Sequence, residues 1–540
     1  MSKQETQTQR QSSFWGRAGS VSLVLAEWLL IVLVYAAYAG CPPPDLNESC
    51  YLVKAKHYWL PDWCRRDLFV RSADVHTFFY ATVGWFTSVL SLERAAYAGR
   101  LAAWGVLAWG WLRMSRALTP VPLMAALSAG WFLLLTGIRM AGEWVVGGVE
   151  AKVFAYGFVF AGLGCWLKQQ LRWCWLYWGV AVLWHPLVGG WTWIAALLAA
   201  VATREIRGQW KHLLPWSVVG LAVGFPGLWW ATAALRAPVS HEEAIQAARI
   251  TVYERLAHHL AFHTFSRRDM AALGLVACMS IGWGAWMGKR RASCRQLARF
   301  TAAVAAIALA GIVIDQSLLW NLDLAARLLK FYWFRLADAV VPVTAALLVT
   351  QYYCELCERD RRKAEYYLVI ILLIPAVVLG WKVGRELRDT RPRADRRWDA
   401  TAGDRQLALR KYRNWLAACG YIREHLPKDA LFLTPFNQQT FKWHAERAEV
   451  VNWKDFPQDP ASILEWKRRM DDLFPNTTAR SDITYWRDNE IIEKMRRYGA
   501  EYLVLERLPG ASRALGPAFT QVYPRFGDVN EDFVVYRIAP

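Results

Sequence analysis

The chain has 540 residues, of which 55% are hydrophobic, and it carries a formal net charge of +19. Its repeated long apolar segments exclude an ordinary water-soluble core, so we expect an integral membrane protein with a separate soluble domain. Because many of the cations flank apolar segments, the basic balance indicates contact with anionic membrane lipid, and we expect no nucleic-acid partner.

The first apolar segment runs from Ser20 to Gly40 and is about long enough to cross a bilayer as a helix. Lys3, Arg10 and Arg17 precede it, which predicts a cytoplasmic N-terminus. The segment lacks the small-residue cleavage site of a signal peptide, so we expect it to be retained as a helix.

Groups of Lys and Arg recur between the later apolar segments, and such groups stay on the cytoplasmic side of a membrane. They are Arg113/Arg116, Lys168/Arg172, Arg204/Arg207/Lys211, Lys289/Arg290/Arg291/Arg295 and Arg359/Arg361/Arg362/Lys363. Placing all of them inside predicts a mainly α-helical, polytopic bundle of about eleven spans. The spans fall near residues 20–40, 96–113, 119–138, 150–167, 173–185, 188–203, 213–235, 271–288, 300–319, 338–354 and 366–382. The odd number places the C-terminal part outside the cytoplasmic membrane.

Two segments leave this count open. Residues 173–203 form either two short helices that turn at His185-Pro186 or one Pro-kinked helix, and we favour the hairpin. Residues 75–92 contain no Lys, Arg, Asp or Glu but several polar residues, so we expect a helix along the outer interface. Counting residues 75–92 as a span would instead send the C-terminal domain to the cytoplasm.

The composition changes near residue 385, where a charged linker precedes a mixed segment. We therefore divide the chain into a transmembrane domain, residues 1–384, and a soluble extracytoplasmic α/β domain, residues 385–540. In the soluble domain, helices are predicted at Gln406–His425 and Ile463–Leu473. Strands are predicted at Ala430–Pro435, Glu449–Trp453, Tyr502–Glu506 and Phe533–Ile538.

The transmembrane domain is expected to have external loops at residues 41–95, 139–150, 236–270 and 320–337. The first loop contains the runs Asn47-Glu48-Ser49-Cys50-Tyr51, Pro61-Asp62-Trp63 and Ser72-Ala73-Asp74-Val75-His76 with Tyr80, and it leads into Leu92-Glu93-Arg94-Ala95-Ala96-Tyr97-Ala98-Gly99-Arg100. Over about residues 21 to 116, these motifs resemble the GT-C-fold membrane glycosyltransferases, the class of the protein O-mannosyltransferases and aminoarabinose transferases. They also resemble an uncharacterised bacterial family of multispanning membrane proteins.

The resemblance implies a glycosyltransferase that takes its sugar from a polyprenyl-phosphate donor at the outer membrane surface. It implies that Glu48 is the catalytic general base, with Asp45 as the second candidate, and that Tyr51, Asp74 and His76 contact substrate. General-base catalysis contributes roughly 10²–10⁴-fold to a rate.

Two positions depart from the family pattern, because Asn47 stands in place of the first acid and Cys50 in place of a basic residue. A structural alternative for Glu48 is a salt bridge to Lys54 or Lys56 within the same loop. This alternative would leave Asp45 as the candidate base.

The loop at 139–150 supplies two further acids, Glu143 and Glu150, beside Lys152. If either acid lies near Glu48, the two carboxylates would position an acceptor or bind a divalent cation, the only cofactor that the sequence suggests. Glu150 would equally be stabilised by the dipole of the helix that it precedes.

Cations in the last two loops suit a lipid-phosphate leaving group, which needs positive charge near the bilayer surface. Arg327, Lys330 and Arg335 stand among aromatic residues, and Arg249 and Arg255 lie in the loop at 236–270. The alternative for the first three is that they snorkel from an ordinary amphipathic helix.

Histidines and cysteines give weaker signals. His259 and His263 share a helix face at i, i+4, but no further metal-binding pattern accompanies them. The cysteines of the first loop, Cys41, Cys50 and Cys64, would supply one disulfide with one thiol left over, and their pairing is open.

Two functions of other classes stay as alternatives to the transferase. A membrane transporter would place functional charges near the bilayer midplane, and Asp315 near the end of a span keeps this option. A non-enzymatic assembly or scaffold protein is the other option, and it would be favoured if Glu48 lay far from every basic cluster.

Overall fold

The computed structural model describes the chain in ten stretches: residues 21–232, 236, 238–399, 404–436, 438–475, 483, 486–507, 515–525, 527 and 529–539. The basic residues Lys3, Arg10 and Arg17, which carry the prediction of a cytoplasmic N-terminus, lie outside these stretches.

Each of the predicted apolar segments coincides with a helix of the bundle. These helices are α1 (Val21–Ala39), α2 (Leu92–Leu118), α3 (Met124–Leu135), α4 (Ala151–Leu167), α5 (Leu171–Trp184), α6 (Pro186–Val201), α7 (Trp210–Ala231), α8 (Arg267–Met287), α9 (Ala292–Ser317), α10 (Arg335–Arg359) and α11 (Arg361–Leu387). Within the described residues, 6 of them are long and apolar enough to cross a membrane, namely α1, α7, α8, α9, α10 and α11. Helices α3, α4 and α6 are apolar but shorter. The chain is therefore an integral multi-pass membrane protein.

Residues 173–203 form two helices and not one kinked helix. His185 separates α5 from α6 with an extended backbone (φ −151°, ψ 98°), and its side chain accepts a hydrogen bond from the N–H of Val188 at the start of α6. The rings of Trp175 and Trp193 lie 4.8 Å apart, so the second helix folds back along the first. This agrees with the predicted hairpin.

Residues 75–92 do not form one continuous helix. The segment is divided into the short helices Thr77–Ala81 and Phe86–Val89 with the 3₁₀ turn Val83–Trp85 between them. None of these pieces is long enough to cross a bilayer. The expectation that this segment does not span therefore holds, but the single interfacial helix was wrong.

Helices α2 and α4 make a close contact at the centre of the bundle. A Cβ atom on Gly110 would lie 1.9 Å from the carbonyl oxygen of Gly157, so only glycine permits this approach. The contact fixes the start of α4, and with it the end of the loop at 139–150, beside the first turns of α2.

Outside the bundle, the loops carry the helices Glu48–Trp59, Leu68–Arg71, Arg204–Arg207, His241–Arg249, Ala257–Leu260 and Leu322–Leu329, with a π-helical turn at Ile250–Arg255 and 3₁₀ turns at Phe262–Thr264 and Arg393–Trp398. Asp67 caps the second of these helices by accepting from the N–H groups of Phe69 and Val70. Caps of this kind satisfy backbone donors that a helix cannot satisfy itself.

The C-terminal part is a small mixed sheet with helices against it. The helices are α12 (Arg405–His425), α13 (Phe441–Ala445), α14 (Pro460–Leu473) and α15 (Asp488–Tyr498), and the strands are β1 (Leu431–Leu433), β2 (Ala448–Glu449), β3 (Tyr502–Glu506), β4 (Phe519–Tyr523) and β5 (Phe533–Ile538). The strand order is β2-β1-β3-β5-β4. Strand β1 is parallel to β2 and β3, whereas β5 is antiparallel to β3 and β4. The sequence prediction missed β4, and it extended the strand at Glu449–Trp453 past its true end.

The sheet domain is bound to the first loop by ion pairs, and those of Lys442 are buried. The ammonium group of Lys442 lies 2.9 Å from Asp67, 2.8 Å from Glu449 and 2.6 Å from Asp455. A second pair joins Lys56 to Glu446 at 2.6 Å. The sheet domain and the first loop therefore lie on the same side of the bundle.

Candidate active site

The first loop is anchored to α2 by Glu48. Its two carboxylate oxygens accept hydrogen bonds of 2.6 Å each from Nε and Nη2 of Arg100, and neither side chain is more than 1% exposed. The same carboxylate accepts from the backbone N–H of Asp45 at 2.6 Å and of Val149 at 2.8 Å. The predicted base is thus held by four donors, and its charged partner is Arg100 rather than Lys54 or Lys56.

Asp45 is buried beside Glu48 and joins the loop to its neighbours. One oxygen accepts from the N–H of Leu46 at 2.8 Å, and the other accepts from the N–H of Gly148 at 2.9 Å. A Cβ atom on Gly148 would lie 2.7 Å from both Asp45 and Glu48, so this approach requires glycine. The loops at 41–95 and 139–150 are therefore in direct contact.

Asn47 links this contact to Glu150. The Asn47 amide donates to Oε1 of Glu150 at 2.6 Å, and its carbonyl oxygen accepts from Nζ of Lys454 at 2.6 Å. Glu150 is buried at the start of α4, and its side chain does not cap that helix. The residue that departs from the family motif thus holds a neighbouring acid.

Lys152 bridges the two acids of the second loop. Its ammonium lies 3.5 Å from Oε2 of Glu150 and 3.5 Å from Oε2 of Glu143, and 4.0 Å from the centre of the Trp144 ring. The ammonium occupies the space between the two carboxylates that a shared divalent cation would need. Among the described residues, no group of three or more His, Cys, Asp or Glu side chains is placed to hold a metal ion.

Arg335 extends the chain of contacts to the other side of the loops. Its Nε lies 3.1 Å from Oε2 of Glu143, its Nη1 lies 3.3 Å from Nε2 of His185, and its guanidinium stacks 3.9 Å from the centre of the Tyr332 ring. The ring of His185 is 5.0 Å from that of His76, whose Nε2 lies 3.2 Å from the hydroxyl of Tyr51. Since Tyr51 follows Asn47 by one helical turn, the contacts close on themselves.

We call this set the polar ring, and it consists of Asn47, Tyr51, His76, Glu143, Glu150, Lys152, His185 and Arg335. Three of the four predicted loops contribute to it, together with the turn between α5 and α6. It lies at the end of the bundle that faces the sheet domain, and it combines two carboxylates with two cations in a largely buried setting.

Burial changes the pKa values of residues in the polar ring, among them Glu150 and His76. It raises the pKa of Glu150 above its ordinary 4.5, although Lys152 and the hydrogen bond from Asn47 oppose this. It lowers the pKa of His76 to about 3, with the positive charge of Arg335 acting in the same direction. His76 is therefore a neutral hydrogen-bonding group at physiological pH, and Glu150 is the acid of the ring that is protonated more readily than usual.

The other predicted substrate residues lie outside the ring. Asp74 pairs with the buried ammonium of Lys54 at 3.6 Å, and half-exposed Arg249 pairs with Asp323 at 3.0 Å. Arg255 donates to the carbonyl oxygen of Trp453 at 3.0 Å. Their roles in substrate binding stay predictions.

Lys330 and Arg335 face different surroundings. The ammonium of Lys330 lies 5.5 Å from the centre of the ring of its neighbour Phe331. It also lies within the electrostatic influence of Arg327, which is exposed at the end of an amphipathic helix. Arg335 points into the polar ring, and the joint role of Lys330 and Arg335 in binding the donor phosphate stays a prediction.

The structure shows the partners of the histidines and cysteines that the sequence patterns singled out. His259 bonds the carbonyl oxygen of Ala141 and His263 lies 3.3 Å from Asp315, so the two histidines have different partners. Cys41, Cys50 and Cys64 are free thiols, and that of Cys50 donates to Asp455 at 3.2 Å.

Arg100 and Lys454 make contacts at the candidate site that sequence patterns did not indicate. Arg100 is the last residue of the run that follows the first loop, and no role was predicted for it from the sequence. Lys454 comes from the sheet domain, 407 residues from Asn47. His185 was interpreted as a turn residue, which it is, but it also contacts Arg335.

This chain matches a family model and is similar in fold to solved structures with which it shares little sequence identity. Residues 413–473 match the model of a domain of unknown function, DUF6798. The fold is similar to that of the oligosaccharyltransferase AglB of Archaeoglobus fulgidus in complex with an inhibitory peptide and a dolichol-phosphate, with a TM-score of 0.46 and 11% identity over 89% of this chain and 69% of that one. A structure of the Archaeoglobus fulgidus oligosaccharyltransferase with Zn and sulfate gives a TM-score of 0.44 and 12% identity over 90% and 68% of the two chains. No curated protein matches the sequence.

Proposed function

We propose that the chain is a GT-C-type glycosyltransferase that moves a sugar from a polyprenyl-phosphate donor to an acceptor on the outer side of the cytoplasmic membrane. The observation that carries this proposal is the polar ring. It places a carboxylate with a raised pKa and two cations together where the loops of a membrane bundle meet a soluble domain.

Glu150 is the general base in this proposal. Base catalysis is most efficient when the pKa of the base approaches the working pH, and burial moves Glu150 in that direction. Glu48 is less suited, because Arg100 and two backbone N–H groups already use both of its oxygens. We assign Glu48 and Asp45 to holding the loops at 41–95 and 139–150 together.

In the reaction, the hydroxyl or amine of the acceptor attacks the anomeric carbon of the sugar. The bond between that carbon and the phosphate oxygen breaks, and the acceptor proton passes to Glu150. The products are the glycosylated acceptor and polyprenyl phosphate.

Arg335 and Lys152 stabilise the phosphate as negative charge develops on it. Charge-assisted hydrogen bonds to phosphate are strong, and donors fixed in advance need little reorganisation. Glu143 contacts both cations, Arg335 at 3.1 Å and Lys152 at 3.5 Å, and so fixes their positions before the donor arrives.

Within the described residues, no specific contact favours the transporter. Asp315, the acid that kept this option, accepts from the backbone N–H of His263 at 3.2 Å, at the end of α9 near the loops. The proximity of acids and cations in the polar ring favours the enzyme over the scaffold protein.

The test is release of polyprenyl phosphate from a panel of polyprenyl-phosphate sugars by the full chain in liposomes, with membrane proteins and glycans as acceptors. We expect the parent to release it and Glu150→Gln to be slower by roughly 10²-fold or more, because the base is lost. Glu465→Gln is the matched control, since Glu465 pairs with Arg468 and Arg469 of its own helix. If the parent releases no polyprenyl phosphate across the panel, the proposed function is refuted. If Glu150→Gln releases it at the parental rate, Glu150 is not the base.

A further inference from the structure

One short segment of the sheet domain, Trp453 to Asp455, reaches the loops of the membrane domain. Lys454 donates to the carbonyl oxygen of Asn47 at 2.6 Å, and Asn47 donates through its amide to Glu150 at 2.6 Å. A continuous path of two short hydrogen bonds thus runs from a cation of the sheet domain to an acid of the polar ring.

The segment is fixed on both sides of Lys454. Arg255 donates to the carbonyl oxygens of Trp453 at 3.0 Å and of Lys454 at 3.4 Å. Asp455 binds the ammonium of Lys442 at 2.6 Å and accepts from the thiol of Cys50 at 3.2 Å. Lys454 is therefore held against the loop by its neighbours.

We propose that Lys454 is a positioning residue, which acts through Asn47 to orient Glu150 and keep it in its charged form. This inference rests on the proposed function, in which Glu150 must be ionised to accept a proton. The sheet domain would then complete the site as well as cover it.

Asn47 suits this role because it offers one acceptor and one donor group. With its carbonyl oxygen fixed by Lys454, the amide N–H₂ can only point the other way, towards Glu150. If Lys454 loses its charge, Asn47 gains freedom to rotate, and Glu150 loses both the orientation and the nearby positive charge.

Several groups face Glu150, and they act in both directions. Burial raises its pKa most, Lys152 and the Asn47 hydrogen bond lower it, Glu143 raises it, and Lys454 lowers it. The hydroxyl of buried Tyr51 also lies within the electrostatic reach of Glu150. Removal of Lys454 should therefore move the pKa of Glu150 upward.

The test measures the protonation of Glu150 directly. Carbodiimides such as dicyclohexylcarbodiimide react with protonated carboxyl groups, so the labelling of Glu150 in the full chain in detergent is followed against pH by mass spectrometry, with Glu150→Gln as the blank. In Lys454→Met we expect the midpoint to move to higher pH by roughly 0.5 to 1 unit. Lys454→Arg should restore the parental midpoint, because it keeps the charge and the donor.

Lys56→Met is the matched control. It removes another ammonium that joins the first loop to the sheet domain, through Glu446 at 2.6 Å, but it lies outside the polar ring. If Lys56→Met shifts the midpoint as much as Lys454→Met, the effect is general loosening of the domain contact and the proposal is wrong.

An unchanged midpoint in Lys454→Met also overturns the proposal. Should Lys454→Met fail to fold, Asn47→Ala interrupts the same path from the other side and must give an upward shift. Labelling requires no transfer activity, so a failure here is distinct from a failure of the proposed function, which would appear as no release of polyprenyl phosphate by the parent.

Discussion

Arg100 and Glu48 face each other through two parallel N–H···O bonds, at 2.6 Å each, with both side chains enclosed by protein. The pair ties the first loop to α2, and the N–H of Val149 adds the loop at 139–150 to the same carboxylate. An ion pair of this kind is costly to break from one side, because the remaining charge stays buried without a partner.

We therefore predict that Glu48→Gln lowers the free energy of unfolding by about 3–5 kcal/mol. Thermal or denaturant unfolding in detergent gives the measurement. Glu446→Gln is the control, since its side chain is 31% exposed and its pair with Lys56 is near the surface. A Glu48→Gln protein that is as stable as the parent but inactive would return Glu48 to the role of general base.

The rate of transfer should depend on pH through Glu150. Its carboxylate is the active form, and its pKa lies above 4.5 in the folded chain, so the rate should fall as the pH drops through this raised value. The initial rate of polyprenyl phosphate release against pH tests this. A rate that stays constant down to pH 4.5 would show that the base is a group with an ordinary or lowered pKa.

Binding of the donor should distinguish Arg335 from Arg327 and Lys330, which lie outside the polar ring. We predict that Arg335→Gln weakens binding of polyprenyl phosphate about 10- to 100-fold, because a hydrogen bond to a charged group contributes roughly 1.5–3 kcal/mol. Lys330→Gln and Arg327→Gln should change it by less than about threefold, because charges near the surface contribute little and both residues lie outside the polar ring. Direct binding of labelled polyprenyl phosphate to each purified variant provides the comparison. If Lys330→Gln and Arg327→Gln weaken binding more than Arg335→Gln does, the phosphate lies at the amphipathic helix.

The sheet domain and the first loop should be reached from the same side of the membrane. Asp62→Cys in the first loop and Lys428→Cys in the sheet domain place thiols at exposed positions, in a background without the exposed Cys278. Both should react with an impermeant thiol reagent in one vesicle orientation, and native Cys357, near the far end of α10, only in the other. Labelling of the two introduced thiols from opposite sides would contradict the fold.

Much of the bundle could be predicted because apolar length is a local signal. The hairpin at His185 was predicted from the basic residues at both of its ends. The breaks in the segment at residues 75–92 were not predicted. Its helices are interrupted at Thr82 and at Leu90, and nothing in their composition sets those breaks apart from an interfacial helix.

The candidate site was only partly accessible from the sequence. Tyr51, His76, Glu143, Glu150 and Arg335 were named as separate candidates, and the structure joins them. Which acid is free to act depends on partners that lie far away in the chain, 52 residues for Glu48 and Arg100 and 103 for Asn47 and Glu150. Spacing along a sequence carries no record of such contacts.

The amide of Asn47 restricts which group can stand opposite it at position 150. An aspartate at this position could accept from Lys454 but could not donate to Glu150, so two carboxylates would meet head-on unless one of them took up a proton. Position 47 and position 150 are thus complementary, with one acid and one amide shared between them. Exchanging the two groups, with Asn47→Asp and Glu150→Gln in a single chain, would carry the negative charge from the second loop to the first while preserving the hydrogen bond.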